Sequence, residues 1–133
     1  MKIILFIMVA VSACLAVPAA DATDIAEGRY LFRIYCTGCH GTTGGGDSPA
    51  AAELKSPPPD LSRLSDSNGG EFPREETIRM ISGLDRSPGH GTGEMPMWGF
   101  NLRETGSDAD QRAAVDRKIR QLARYLESIQ NRK

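Results

Sequence analysis

The chain has 133 residues, 40% of them hydrophobic and only 6% aromatic, a size that supports one domain with a modest core. Sixteen Lys and Arg are interspersed with seventeen Asp and Glu, for a formal charge of −1. That balance argues against nucleic acid as a partner, because phosphate binding is normally met by a concentrated basic face.

The first segment reads as an export signal. Lys2 supplies a minimal positive start, Ile3 to Leu15 are apolar apart from Ser12, and small residues follow. Ala20-Asp21-Ala22 fits the small-x-small cleavage pattern, and Val17-Pro18-Ala19 fits it more loosely. The expectation is a signal peptide over 1–22, cut within 19–22, and one domain over 23–133. Two alternatives stay open. The leader could remain as an anchor, although a membrane span needs about 20 apolar residues. Alternatively, Val11-Ser12-Ala13-Cys14 resembles a lipobox, in which Cys14 would carry lipid.

From residue 24 the pattern is helical. Asp24 stands at an N-cap position, and Glu27 three residues later completes a capping-box pair. Ile25, Gly28, Leu31, Phe32 and Tyr35 recur at helical spacing, which predicts a helix over 24–36. Gly28 costs about 1 kcal/mol relative to alanine inside a helix, and it suits the close approach of a second helix.

Residues 41–73 are loop-rich, with Gly44-Gly45-Gly46 and Pro57-Pro58-Pro59 as breakers and one short turn over 50–55. A connection of this length makes sense if it wraps a ligand. Pro73-Arg74-Glu75-Glu76 opens a second helix, with proline at its first position and acids at its positive end. Ile78, Ile81 and Leu84 form its apolar edge, and Gly83 ends it. Residues 85–108 read as irregular. The last helix is expected over 108–131, with Val115, Ile119, Leu122, Tyr125, Leu126 and Ile129 on one face. Arg112, Asp116, Lys118, Arg120, Arg124 and Glu127 fill the other, read as a solvated surface. The fold class is all-α, with three to four helices and long loops.

Cys36-Thr37-Gly38-Cys39-His40 is a C-x-x-C-H sequence, the signature of covalent haem attachment. On a helical turn, thiols at i and i+3 share one face and can add to two vinyl groups along a porphyrin edge. The histidine then projects over the ring toward the iron. Competing readings are poorer. A structural zinc needs four ligands, and His90 is the obvious remaining candidate. A thioredoxin-type pair would sit near a β-α-β pattern. A Cys36–Cys39 disulfide would close too short a loop to stabilise much. One motif predicts one haem c.

The second axial position decides what such a haem does. Met95 and Met97 lie in Gly93-Glu94-Met95-Pro96-Met97-Trp98, far in sequence from His40. A thioether favours Fe(II). Met95 is preferred over Met97, because Pro96 biases it toward an extended conformation. His90, in a glycine-rich loop, is the rival, and a bis-histidine site would lower the potential.

These features together resemble a class I cytochrome c of the small bacterial periplasmic kind. Gly28-x-x-Leu31-Phe32-x-x-x-Cys36-x-x-Cys39-His40 is similar to the family's first helix and haem motif, and Pro58-Pro59-Asp60-Leu61 to its middle loop. Met95-Pro96-Met97-Trp98 resembles the loop that brings the sixth ligand, and Leu122-x-x-Tyr125-Leu126 the C-terminal helix. The resemblance implies that Gly28 and Tyr125 meet where the terminal helices cross. It implies that a carbonyl of Pro58 or Pro59 accepts a hydrogen bond from His40, and that Trp98 and Arg79 face the haem propionates. It further implies a soluble periplasmic electron carrier rather than an enzyme, docking transiently with other redox proteins or membrane-bound electron-transfer complexes. Membrane association would come only through lipid at Cys14 or an uncleaved leader. Two other functions stay open: a haem c subunit of a periplasmic dehydrogenase or oxidase complex, and a ligand-binding or peroxidatic protein with an open sixth site.

Overall fold

The computed structural model describes residues 19–84, 95–103, 105 and 107–131. The leader before residue 19, Cys14 and His90 lie outside the described residues. Among those described the secondary structure is entirely helical. Helix α1 is Ala19–Tyr35, α2 Thr37–His40, α3 Arg74–Ser82, α4 Trp98–Asn101 and α5 Asp108–Ser128. Three short 3₁₀ turns, Pro49–Glu53, Leu61–Arg63 and Asp66–Asn68, punctuate the long connection between α2 and α3.

The terminal helices form the body of the fold, and α1 packs chiefly on α5. Their crossing is set by Gly28. A Cβ there would collide with the carbonyl oxygen of Gln121 and lie 2.8 Å from Cβ of Tyr125. The expected meeting of Gly28 and Tyr125 is therefore found. One turn on, Phe32 is 1% exposed and its ring lies 5.3 Å from that of Tyr125, inclined by 51°. Such a tilted pair adds to the area that both rings bury.

The core is one cluster. Leu31 and Phe32 come from α1, Ile81 from α3, and Val115, Ile119, Leu122, Tyr125 and Leu126 from α5, with Leu102 following α4. Fully burying side chains such as Phe32, Ile119 and Leu122 stabilises by about 1.5–3 kcal/mol each. The predicted apolar face of α5 is thus the buried face, with Ile129 packed at its edge. Ser107 caps this helix by accepting from the amide of Asp110 at 3.2 Å.

Several expectations are corrected. Helix α1 begins at Ala19, so Asp24 lies inside it and is no N-cap. Its carboxylate instead accepts from Nε2 of Gln121 at 3.1 Å and lies 3.6 Å from Nε of Arg124. Attraction to α5 has taken the side chain that sequence alone assigned to capping. Arg124 also pairs with Asp21, and Glu127 with Arg74 of α3, so neither belongs to a purely solvated face. Helix α5 ends at Ser128 rather than 131. Pro73 is the N-cap of α3 rather than its first residue. Leu84 is 80% exposed and takes no part in the edge formed by Ile78 and Ile81. Gly83 stops α3 one residue earlier, at φ 80°, donating its amide to the carbonyl of Met80 at 3.1 Å.

Candidate functional site

Helix α1 runs almost directly into the C-x-x-C-H turn. The amide of Cys36 donates to the carbonyl of Phe32 at 2.9 Å, and those of Cys39 and His40 donate to Cys36 at 3.2 and 2.9 Å. Thr37 turns its hydroxyl back to donate to the carbonyl of Arg33 at 2.9 Å. The pentapeptide is therefore one helical turn, which puts residues three apart on a shared side. Both thiols are free, Cys36 partly buried against the core and Cys39 exposed. Burial, and then the neighbouring Cys39, push the Cys36 thiol up to about 12. Gly38 opens the turn outward, since a Cβ there would meet nothing within 4 Å.

His40 is half-buried, and that burial lowers its pKa, favouring the neutral imidazole that binds a metal. Nδ1 is enclosed without a hydrogen-bond partner. The bond expected from a proline carbonyl is not made. The carbonyls of Pro58 and Pro59 instead face the backbone of Gly46, where a Cβ would collide with Pro58 and lie 3.4 Å from the oxygen of Pro59. Gly46, at φ 75°, in turn donates its amide to the carbonyl of His40 at 2.9 Å. The proline run thus lies against the motif's loop at Gly46.

That loop is tied down by a residue the sequence reading passed over. Ser48 donates to the carbonyl of Cys39 at 2.9 Å while accepting from the amide of Ala51 at 3.1 Å. Gln130, at the far end of the chain, is a second such residue. Its amide nitrogen donates to the carbonyls of Leu61 and Leu126, each at 2.7 Å, and its oxygen accepts from the amide of Ser65 at 3.0 Å. Ser48 before Pro49 is a local N-cap signal, but its bond to Cys39, like the bonds of Gln130, shows only in the folded chain.

A second element against the same core is the segment from Met95 to Leu102. Met95 is partly buried and packs against the same core as Cys36. Met97 is 43% exposed and lies over Gly83, where a Cβ would sit 2.7 Å from its Cγ. The two methionines thus point to different surroundings, as the extended conformation before Pro96 suggests. Trp98 opens α4, packs on the core and meets the ring of Tyr35 at 5.2 Å.

These residues fit a covalently held haem. Two free thiols share one side of a turn, and the neutral imidazole beside them has Nδ1 enclosed, leaving Nε2 as its available donor. A thioether lies on the common core. Among the described residues no cluster of three or more His, Cys, Asp or Glu is assembled, whereas a structural zinc needs four ligands.

A helical fold closing in this way on a C-x-x-C-H turn defines the class of c-type haem proteins. The family model for cytochrome c matches residues 25–130, and the chain belongs to the cytochrome c family. Comparisons with curated proteins and with solved structures gave no match. Membership makes haem c, covalently attached, the chain's cofactor and electron transfer its general function. Among the described residues no helix is long and apolar enough to cross a membrane.

Proposed function

We propose that the chain is an exported mono-haem electron carrier of the bacterial periplasm, with no substrate chemistry of its own. In this reading Cys36 and Cys39 would hold the haem through thioethers, and His40 and Met95 would ligate its iron. The observation that carries it is the placement of Met95 and Cys36 against one buried core, with Met97 turned to Gly83.

When bound, the haem iron supplies a reversible one-electron couple. The chain's part is to hold both axial donors in place across the change of charge. His40 contributes a nitrogen kept neutral by burial, on a turn fixed by the Cys36 carbonyl. Met95 contributes a soft, neutral sulfur that favours the reduced state. With both positions filled, small exogenous ligands are kept out, which suits a carrier that docks briefly with redox proteins.

The experiment compares Met95→Ala and Met97→Ala in the haem-loaded protein. Met95→Ala is expected to lose the weak far-red absorption of Met-ligated ferric haem and to bind carbon monoxide rapidly when reduced. Met97→Ala is expected to keep the band. The reverse pattern would reassign the ligand, and rapid carbon monoxide binding by wild type would favour an open-site protein instead.

A further inference from the structure

The ring contact between Tyr35 and Trp98 joins the end of α1, beside the C-x-x-C-H turn, to the start of α4, beside the methionine segment. Tyr35 directly precedes Cys36, and Trp98 follows Met95 by three residues. The rings lie 5.2 Å apart and are inclined by 54°. That separation falls within the range at which tilted aromatic pairs attract beyond the area they bury. Pro96 and Met97 alone separate Trp98 from Met95, and proline restricts the intervening backbone.

The far end of this strap is also fixed. Met97 accepts from the amides of Phe100 and Asn101 at 3.0 and 3.1 Å, which locks α4 onto the methionine segment. Gly99 seats α4 on α3, since a Cβ there would lie 2.6 Å from the carbonyl oxygen of Ser82. Trp98 itself packs on the core that Cys36 and Met95 share. Displacing the Met95 backbone outward pulls on α4 through Pro96 and Met97, and so strains the Tyr35–Trp98 contact.

We infer that Tyr35 and Trp98 form an aromatic clasp that positions Met95 and would oppose displacement of its thioether from the haem iron. Both are positioning residues. The inference rests on Met95 as the axial ligand.

The test uses the oxidised, haem-loaded protein and imidazole as the competing ligand, followed by loss of the far-red band. Trp98→Leu and Tyr35→Leu are expected to speed displacement of Met95 by about two- to tenfold, the range one aromatic pair supports. Trp98→Phe, which keeps a ring facing Tyr35, is expected to stay near the wild-type rate. The Tyr35→Leu/Trp98→Leu double variant should be no faster than either single one, because both remove the same contact. A wild type without the band overturns the clasp together with the ligand assignment. An intact band with unchanged rates in both leucine variants, or with additive effects, overturns the clasp alone. Failure of Trp98→Phe to restore the wild-type rate would also overturn it.

Discussion

Gly28 and Gln121 approach so closely that no side chain fits between them: a Cβ on Gly28 would enter the carbonyl oxygen of Gln121. The obstacle is backbone on α5 and cannot rotate aside. Gly28→Ala gains up to about 1 kcal/mol of helix propensity. Overpacking costs about 1–3 kcal/mol, so the crossing wins over the propensity. The haem-loaded variant is expected to be less stable by up to about 2 kcal/mol, and Gly28→Val by more. Guanidinium unfolding followed by tryptophan fluorescence checks this, and an unchanged midpoint in Gly28→Val would remove the crossing from the account.

Gln130 gives a second prediction. Its side chain bonds the loop at Leu61 and Ser65 to the end of α5. Gln130→Ala leaves the Ser65 amide and the Leu61 carbonyl without these partners, at a cost of about 1–2 kcal/mol. Gln130→Glu keeps an acceptor for Ser65 but turns a carboxylate oxygen toward two carbonyls, so it should not rescue. Hydrogen exchange should quicken at Ser65 in the alanine variant, while the amides of Cys39 and His40 in the haem motif keep their wild-type rates.

How much of this was legible in the sequence follows from the range of each interaction. Helical periodicity is local, so the buried face of α5, the stop at Gly83 and the turn through Cys36 to His40 could be read directly. Gly28 was legible because a glycine within a helical pattern needs a reason. Asp24 was misread because its partners, Gln121 and Arg124, lie far along the chain and outweigh a local cap. Helix α4 spans only four residues, too few to show a period. The contact of Tyr35 with Trp98, like the bonds of Ser48 and Gln130, depends on how loops return, which no local pattern encodes. The proline expected to bind His40 failed for the same reason, since Gly46 lets the proline carbonyls approach the loop backbone instead.

Removing the haem supplies a third prediction. The described core draws only Leu31 and Phe32 from α1 and Ile81 from α3. A domain of this size is marginal on such a core, and a ligand that binds only the folded state adds directly to stability. Cys36→Ala/Cys39→Ala, which cannot form thioethers, is expected to keep part of its helical signal in far-ultraviolet circular dichroism. It should lose the sharp, cooperative thermal transition of the loaded protein. A haem-free variant melting within a few degrees of wild type would mean that the protein core alone carries the fold.

The last prediction separates two glycines that seat the methionine segment. At Gly99, an added Cβ would lie 2.6 Å from the backbone oxygen of Ser82, so α4 itself must shift. At Gly83 an added Cβ would lie 2.7 Å from Cγ and 3.3 Å from Cα of Met97, so Met97 must give by a few tenths of an ångström, and φ is 80°, where an L side chain is strained. Gly83→Ala should therefore cost about 1–2 kcal/mol, as expected of a left-handed alanine, and disturb the spectrum less than Gly99→Ala does. Gly99→Ala should disturb the spectrum as well as stability, because α4 carries Trp98 and directly follows the Met95 segment. Thermal unfolding and far-red absorption, measured on both haem-loaded variants, distinguish the two. A spectral change in Gly83→Ala but not in Gly99→Ala would show that the end of α3, rather than the seat of α4, holds the methionine loop.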